Sequence, residues 1–269
     1  MNCLKGGREK VKLRDKVAVV TGGSRGLGRA IALGFAKEGA HVVVAARTEV
    51  ENKQLPGTIY QTAEEIKALG QEALPVRCDV TDEQSVGQLI QATVDRFGRI
   101  DVLVNNAGIA FYYPILETPL KRWEIVLKVN LIGAFLCSKA VVPKMIEQKR
   151  GSIINISSLA ADERDEGTVP TGVAYAVSKA GLDRFTLGLA TEIGKYNIAV
   201  NAVKPHRVVD TDGMRLWQPD ADKSLWQSAE MMVKATILLA NQDSKGITGT
   251  IATDREICTW HGLTNTKEV

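Results

Sequence analysis

Apolar residues in this chain fall into short runs separated by longer amphipathic stretches, and the alternation continues from residue 16 almost to the end. Val17-Ala18-Val19-Val20, Val42-Val43-Val44-Ala45 and Val102-Leu103-Val104, with segments 73–77, 152–156 and 199–203, predict six strands. Polar residues barely alternate with the apolar ones, as expected of strands covered on both faces. Between them, 27–37 predicts a helix with Ile31, Ala32, Phe35 and Ala36 on one face, and 60–69 a second. Thr81 or Asp82 suits the cap of a third, running to Phe97. Segments 121–147, 173–194 and 227–240 predict further helices, with Pro143 bending the first or ending a segment of it. A weak strand over 247–252 closes the pattern. Strands alternating with helices through right-handed crossovers predict an α/β fold, a doubly wound parallel sheet of about seven strands. No linker rich in Pro, Gly or Ser divides the chain. The expected organisation is one domain over 14–269 behind a flexible basic tail, 1–13.

Composition narrows the function classes without naming one. Of 269 residues, 45% are hydrophobic and 24% charged, so a sizeable core is expected. A net charge of +3 is too balanced to make nucleic acid the main partner. No unbroken apolar run reaches the roughly 18 residues that span a bilayer, so no membrane partner is expected. Four scattered cysteines (Cys3, Cys78, Cys137, Cys258) and three scattered histidines suggest reduced thiols, no metal and a cytoplasmic location.

Two motifs carry chemistry. The first strand runs into Thr21-Gly22-Gly23-Ser24-Arg25-Gly26-Leu27-Gly28 and then into a helix. Glycines at that turn let the backbone approach a pyrophosphate, and the helix N-terminus offers N–H groups and a positive dipole end. Tyr175 and Lys179, four residues apart, lie one turn apart on one helix face. An ammonium there favours the phenolate, so the phenol can exchange protons near neutral pH.

These residues resemble the short-chain dehydrogenase/reductase family over about residues 14–254, with its spacing Thr-Gly-x-x-x-Gly-x-Gly. Asn105-Asn106-Ala107-Gly108 resembles the family's Asn-Asn-Ala-Gly element, and Asp79-Val80 its adenine-contacting pair. Asn130, Ser158, Tyr175 and Lys179 match its catalytic tetrad in order. The resemblance implies a Rossmann-type domain and direct hydride transfer. Tyr175 would be the acid in reduction and the base in oxidation. Lys179 would tune the phenol and bind the nicotinamide ribose, Ser158 would hold the substrate oxygen, and Asn130 would help hold a water on a proton path. Cofactor contacts would come from Gly22, Ser24, Arg25, Gly26, Leu27, Gly28, Arg47, Asp79, Val80, Asn106, Ala107, Gly108, Tyr175, Lys179, Pro205, Val209 and Thr211.

The second strand ends Ala45-Ala46-Arg47 where NAD-selecting proteins carry an acid. Arg47 and Arg25 would pair with a ribose 2′-phosphate, which predicts NADP(H). Glu49 stands close enough in sequence to neutralise Arg47, so NAD(H) stays open. Phe111, Tyr112 and Tyr113, the 159–173 loop, and 206–226 with Trp217 and Trp226 are expected around an apolar ketone, aldehyde or alcohol. Aromatics covering a core edge or a subunit contact are the other reading.

Two departures from the family pattern stand out. The gap from Ser158 to Tyr175 is longer, through Asp162-Glu163-Arg164-Asp165-Glu166-Gly167, and Pro205-His206 replaces the usual Pro-Gly. The longer turn, Pro56-Gly57-Thr58-Ile59-Tyr60, Thr248-Gly249 and Asp254 resemble the hydroxysteroid-dehydrogenase-like branch. Such chains assemble as homotetramers or homodimers, and the resemblance points to Met145 and the 173–194 helix as contacts. The expected function is carbonyl reductase or alcohol dehydrogenase. The alternatives are an imine or enoyl-type reductase and a weakly catalytic cofactor-binding regulator.

Overall fold

The computed structural model describes residues 12–111, 113–162 and 172–264. Seven strands, β1 (Val17–Thr21), β2 (His41–Ala46), β3 (Ala73–Arg77), β4 (Val102–Asn105), β5 (Gly151–Ile156), β6 (Ile198–Lys204) and β7 (Ile251–Thr253), form one sheet. Their order is β3-β2-β1-β4-β5-β6-β7, and every pairing is parallel. Strand order reverses between β1 and β4, where Ala18 faces Val102 and Val20 faces Val104. A crevice for a ligand opens at that switch, beyond the carboxyl ends of the strands. β7 is shorter than the predicted 247–252 because Gly249, at φ +70°, turns the chain just before it.

Helices cover both faces: α1 (Gly26–Lys37), α2 (Ile59–Ala68), α3 (Glu83–Phe97), α4 (Leu120–Leu127), α5 (Gly133–Gln148), α6 (Val173–Ile193), α7 (Asp212–Trp217), α8 (Glu230–Ala240) and α9 (Asp254–Trp260). α2 starts at a reciprocal cap, in which Gln61 N donates to Thr58 Oγ1 and Thr58 N to Gln61 Oε1. Of the two candidate caps for α3, Asp82 serves, its carboxylate accepting from Gln84 N at 3.0 Å. The predicted 121–147 helix is two helices joined by a π turn, Lys128–Ile132. Pro143 lies inside α5 without ending it. Fully buried Val141 and Met145 hold the helix on the sheet across the hydrogen bond that proline removes. α7 and α9 were not anticipated, although Thr253-Asp254-Arg255-Glu256 carries a capping-box signature.

Successive strand residues point to opposite faces, so one run feeds two cores. Ala18, Val20, Val42 and Val44 pack with Ile31 and Phe35 of α1 and Met232 and Leu239 of α8. Val17, Val19, Val43 and Leu103 pack on the other side with Leu89 of α3 and Cys137, Val141 and Met145 of α5. Leu13, assigned to the tail on sequence, is fully buried in the first core. Its backbone N–H bonds Glu38 O at 2.9 Å, so ordered structure begins before residue 14. Met145 is likewise sealed inside its own chain and cannot be a subunit contact, which corrects that expectation. The span Leu120–Gln148 is long and apolar enough by length and composition to cross a membrane. Its buried Val126, Val129, Cys137 and Val141 face this protein's own interior.

Candidate active site

Gly22 and Gly26 adopt φ +66° and +54°, a conformation that favours glycine. At Gly28 the limit is space, since a Cβ there would meet Gly22 O at 2.3 Å and Asn106 Nδ2 at 2.4 Å. Asn106 makes this close packing polar, its Nδ2 donating to Thr21 O at 2.9 Å. The Thr21 hydroxyl accepts from the backbone N–H groups of Asn106 and Ala107 at 3.0 and 3.1 Å and donates to Val104 O. The glycine turn and the 105–108 element are therefore one unit. Asn105 points into the sheet instead, donating to Asn155 Oδ1 at 2.9 Å and Ser138 Oγ at 3.1 Å. Thr21, Ser138 and Asn155 were not singled out on sequence; polar residues inside otherwise apolar strands were the available signal.

α1 begins without a side-chain cap and without an acid in its first turn. Its N–H groups and dipole are thus open to an anion, which fits a dinucleotide's pyrophosphate on Ser24, Arg25 and Leu27. Arg25 Nη2 donates to Gly57 O at 3.2 Å. Arg47 leans on Asp79, Nη1 to Oδ2 3.7 Å. Glu49 does not neutralise Arg47, because it pairs with Arg77 at 3.3 Å and accepts from Tyr60 Oη at 2.9 Å. Burial alone would push the Asp79 carboxyl up, but hydrogen bonds from Thr81 and the Arg47 charge hold it below the usual carboxylate value. Val80 abuts α5, where a Cβ on Gly133 would lie 2.8 Å from Val80 Cγ2. Thr211 reaches this end from far along the chain, its Cβ 3.6 Å from where a Gly26 side chain would begin.

The reacting end lies beside it. Tyr175 and Lys179 share a face of α6, with Lys179 Nζ 5.6 Å from the Tyr175 ring centroid. Lys179 is 4% exposed and donates to Ile156 O, at the end of β5, at 2.7 Å. Burial lowers its pKa to about 8, with the Asp183 carboxylate opposing. The position of a Cβ on Gly108 is 3.8 Å from Lys179 Nζ and 3.5 Å from Asn130 Oδ1, which joins the two ends. Asn130, in the π turn, accepts from Ile109 N at 2.8 Å and donates to Ile109 O and Ser178 Oγ. Its amide therefore locks the 105–109 segment to α6. Ser157 is buried at 3% exposure, while half-buried Ser158 caps a 3₁₀ turn through Ala160 N. Of the two serines, Ser158 is the one that can reach a substrate.

Phe111, Tyr113 and Trp217 form one cluster, with ring centroids 6.3 and 5.8 Å from Phe111. The Arg122 guanidinium caps it 4.4 Å from the Phe111 centroid. Tyr112 and residues 163–171 of the predicted rim lie outside the described residues. Val209 is 7% exposed and packs in the first core, and its segment bridges to Gln227. His206, in place of the usual glycine, gives the turn after Pro205 an anchor. Its backbone N–H and its Nδ1 each lie 2.8 Å from Oδ1 of fully buried Asp254. Asp254 Oδ2 also accepts from Gln227 Nε2 at 2.9 Å.

A phosphate-ready glycine turn at the switch of a parallel sheet, beside a tyrosine–lysine pair, defines a dinucleotide-binding oxidoreductase scaffold. The profile of the short chain dehydrogenase family matches residues 16–222, and the chain belongs to that family, in its hydroxysteroid-dehydrogenase-like branch. It is 37% identical over 254 residues to hydroxysteroid dehydrogenase-like protein 2 of Bos taurus, and equally to that of Homo sapiens. These alignments cover 94% of this chain and 60% of the relatives, so the chain spans about 60% of their length. Among solved structures, a short chain dehydrogenase from Mycobacterium thermoresistibile superposes with TM-score 0.85 at 31% identity, covering 94% of this chain and 90% of that one. A protein described as an NAD(P) dependent gluconate 5-dehydrogenase from Beutenbergia cavernae, with NADP bound at low occupancy, gives 0.79 at 31%, covering 91% and 97%.

Proposed function

We propose that this chain is an NADP(H)-dependent oxidoreductase interconverting a ketone or aldehyde and the corresponding alcohol. The observation that carries the reading is the buried Lys179 ammonium, set between the Ile156 carbonyl and the Tyr175 ring and adjoining Gly108 of the cofactor element. When bound, the nicotinamide supplies or accepts the hydride. Tyr175 gives a proton to the carbonyl oxygen in reduction and takes it back in oxidation. Lys179 stabilises the phenolate electrostatically, and Ser158 Oγ orients the substrate oxygen. Asn130 fixes the segment against which the nicotinamide packs. Arg47 and Arg25 hold the 2′-phosphate, a reading supported by the NADP in the Beutenbergia structure.

The aromatic cluster of Phe111, Tyr113 and Trp217 favours an apolar substrate. Exposed Phe135, Val177 and Leu187 on α5 and α6 favour a homodimer or homotetramer. Cys78, Cys137 and Cys258 are free and buried, which suits a reducing cytoplasm.

The test is NADPH consumption against a panel of ketones, diketones, aldehydes and imines. Tyr175→Phe should lose about 10²–10⁴ in turnover with unchanged NADPH affinity and melting temperature. Wild-type turnover in that variant would reject the acid–base role. Tight NADPH binding without turnover on any substrate would favour the regulatory alternative, and turnover on imines alone the imine reductase.

A further inference from the structure

Lys204, the last residue of β6, is a lysine at 4% exposure after a run of apolar residues. Its Nζ pairs with the carboxylate of Asp162, just after the Ser158 turn, and with Asp183 Oδ2 at 2.9 Å. Asp183 lies on α6 four residues beyond Lys179, so it sits one turn along on the same face. Its Oδ1 is buried and makes no hydrogen bond among the described residues. Asp183 therefore has two cations to answer, Lys204 by contact and Lys179 through its field.

A clasp tying the Ser158 turn to β6 would need only Asp162 and Lys204. The second carboxylate, aligned with the lysine of the reacting pair, is the part that structure alone does not call for. Burying an ammonium is costly unless charge answers it, and Lys204 is answered from both sides. Hydrogen bonds from it to the two aspartates hold its pKa above the usual value although burial works the other way.

We propose that Asp183 and Lys204 are positioning residues for Lys179. Asp183 keeps the neighbouring ammonium charged and aimed at Ile156 O, and Lys204 limits that pull by neutralising part of the carboxylate. Asp162 ties the Ser158 turn to the same pair, so the serine and the lysine of the site share one buried charge network. The inference deepens the acid–base reading of Tyr175 and Lys179 and rests on it for its catalytic meaning. The charged and titratable groups around Lys179 are Tyr175 and Asp183 on α6, Lys204 on β6, and Asp162 after β5.

The direct test is NMR titration of Lys179 in the full chain labelled with ¹³C-lysine, its signal assigned by loss in Lys179→Met. Asp183→Asn should lower the Lys179 midpoint by about one pH unit. Lys204→Met should raise it, because Asp183 is then unneutralised, while Lys204→Arg should restore both the wild-type midpoint and the wild-type pH–turnover profile. If Asp183→Asn fails to fold, Asp183→Asn with Lys204→Met removes both charges together and should still titrate below wild type. Folded variants with an unmoved Lys179 midpoint overturn the proposal. If the midpoints move while Tyr175→Phe keeps full turnover, the network stands and the acid–base reading falls.

Discussion

Arg47 shows how a single side chain sets a choice between two cofactors. Its partner, Asp79, stands 3.7 Å away, and the guanidinium side chain is 61% exposed. Such a pair contributes little to stability, so Arg47 is free to turn toward a phosphate. Arg47→Ala should reduce the NADPH-over-NADH ratio of kcat/KM by roughly tenfold, the worth of one charge-assisted contact. An unaltered ratio in steady-state assays with both cofactors would refute the role. At this scale the sequence was legible where spacing carries the information: Tyr175 and Lys179 meet as their i, i+4 relation requires. It was not legible where partners come from separate strands. Glu49 is two residues from Arg47 in the chain, yet it turns to Arg77 and Tyr60 on neighbouring elements. Asp183 and Lys204 meet only because α6 packs on β6.

The turn after β6 is the element in which this chain departs most from its family, and the structure explains the departure. His206 ties the turn to Asp254 at the start of α9 by two contacts of 2.8 Å. His206→Gly keeps the backbone N–H but leaves a fully buried carboxylate with one partner fewer. The expected cost is about 1–2 kcal/mol in urea unfolding, with a raised KM for the cofactor because Val209 and Thr211 lie on the loosened segment. An unchanged unfolding midpoint would mean that the ring contact contributes nothing. Strands were the easiest elements to read, since a continuous Val/Ile/Leu run has few other solutions in a soluble α/β chain. The break in the 120–148 helix was hidden because a π turn changes hydrogen bonding without changing composition. Pro143 drew attention to the wrong place because buried neighbours override its local preference.

Across the whole molecule, the reacting lysine is a thermodynamic burden. Lys179 titrates at about 8 in the fold against 10.5 unfolded. Below pH 8 both states carry the charge and the fold bears the full burial penalty. Between pH 8 and 10.5 the unfolded chain binds more protons, so this group's contribution to stability rises with pH. At about 1.4 kcal/mol per pH unit, the penalty at neutral pH is on the order of 3 kcal/mol. Lys179→Met should therefore be more stable than wild type at pH 7, and that advantage should shrink as denaturation is repeated toward pH 10.5. An advantage independent of pH would contradict the buried-ammonium picture. The π turn at Lys128–Ile132 has a wider reach than its own length. Losing one codon there would restore a plain helix and swing every downstream side chain of α5 by ~100°. Cys137, Val141 and Met145 would rotate off the sheet and charged neighbours would rotate in. Length variation among natural relatives should thus gather in surface loops and spare this stretch, where a single deletion would yield a more regular helix and a ruined interior.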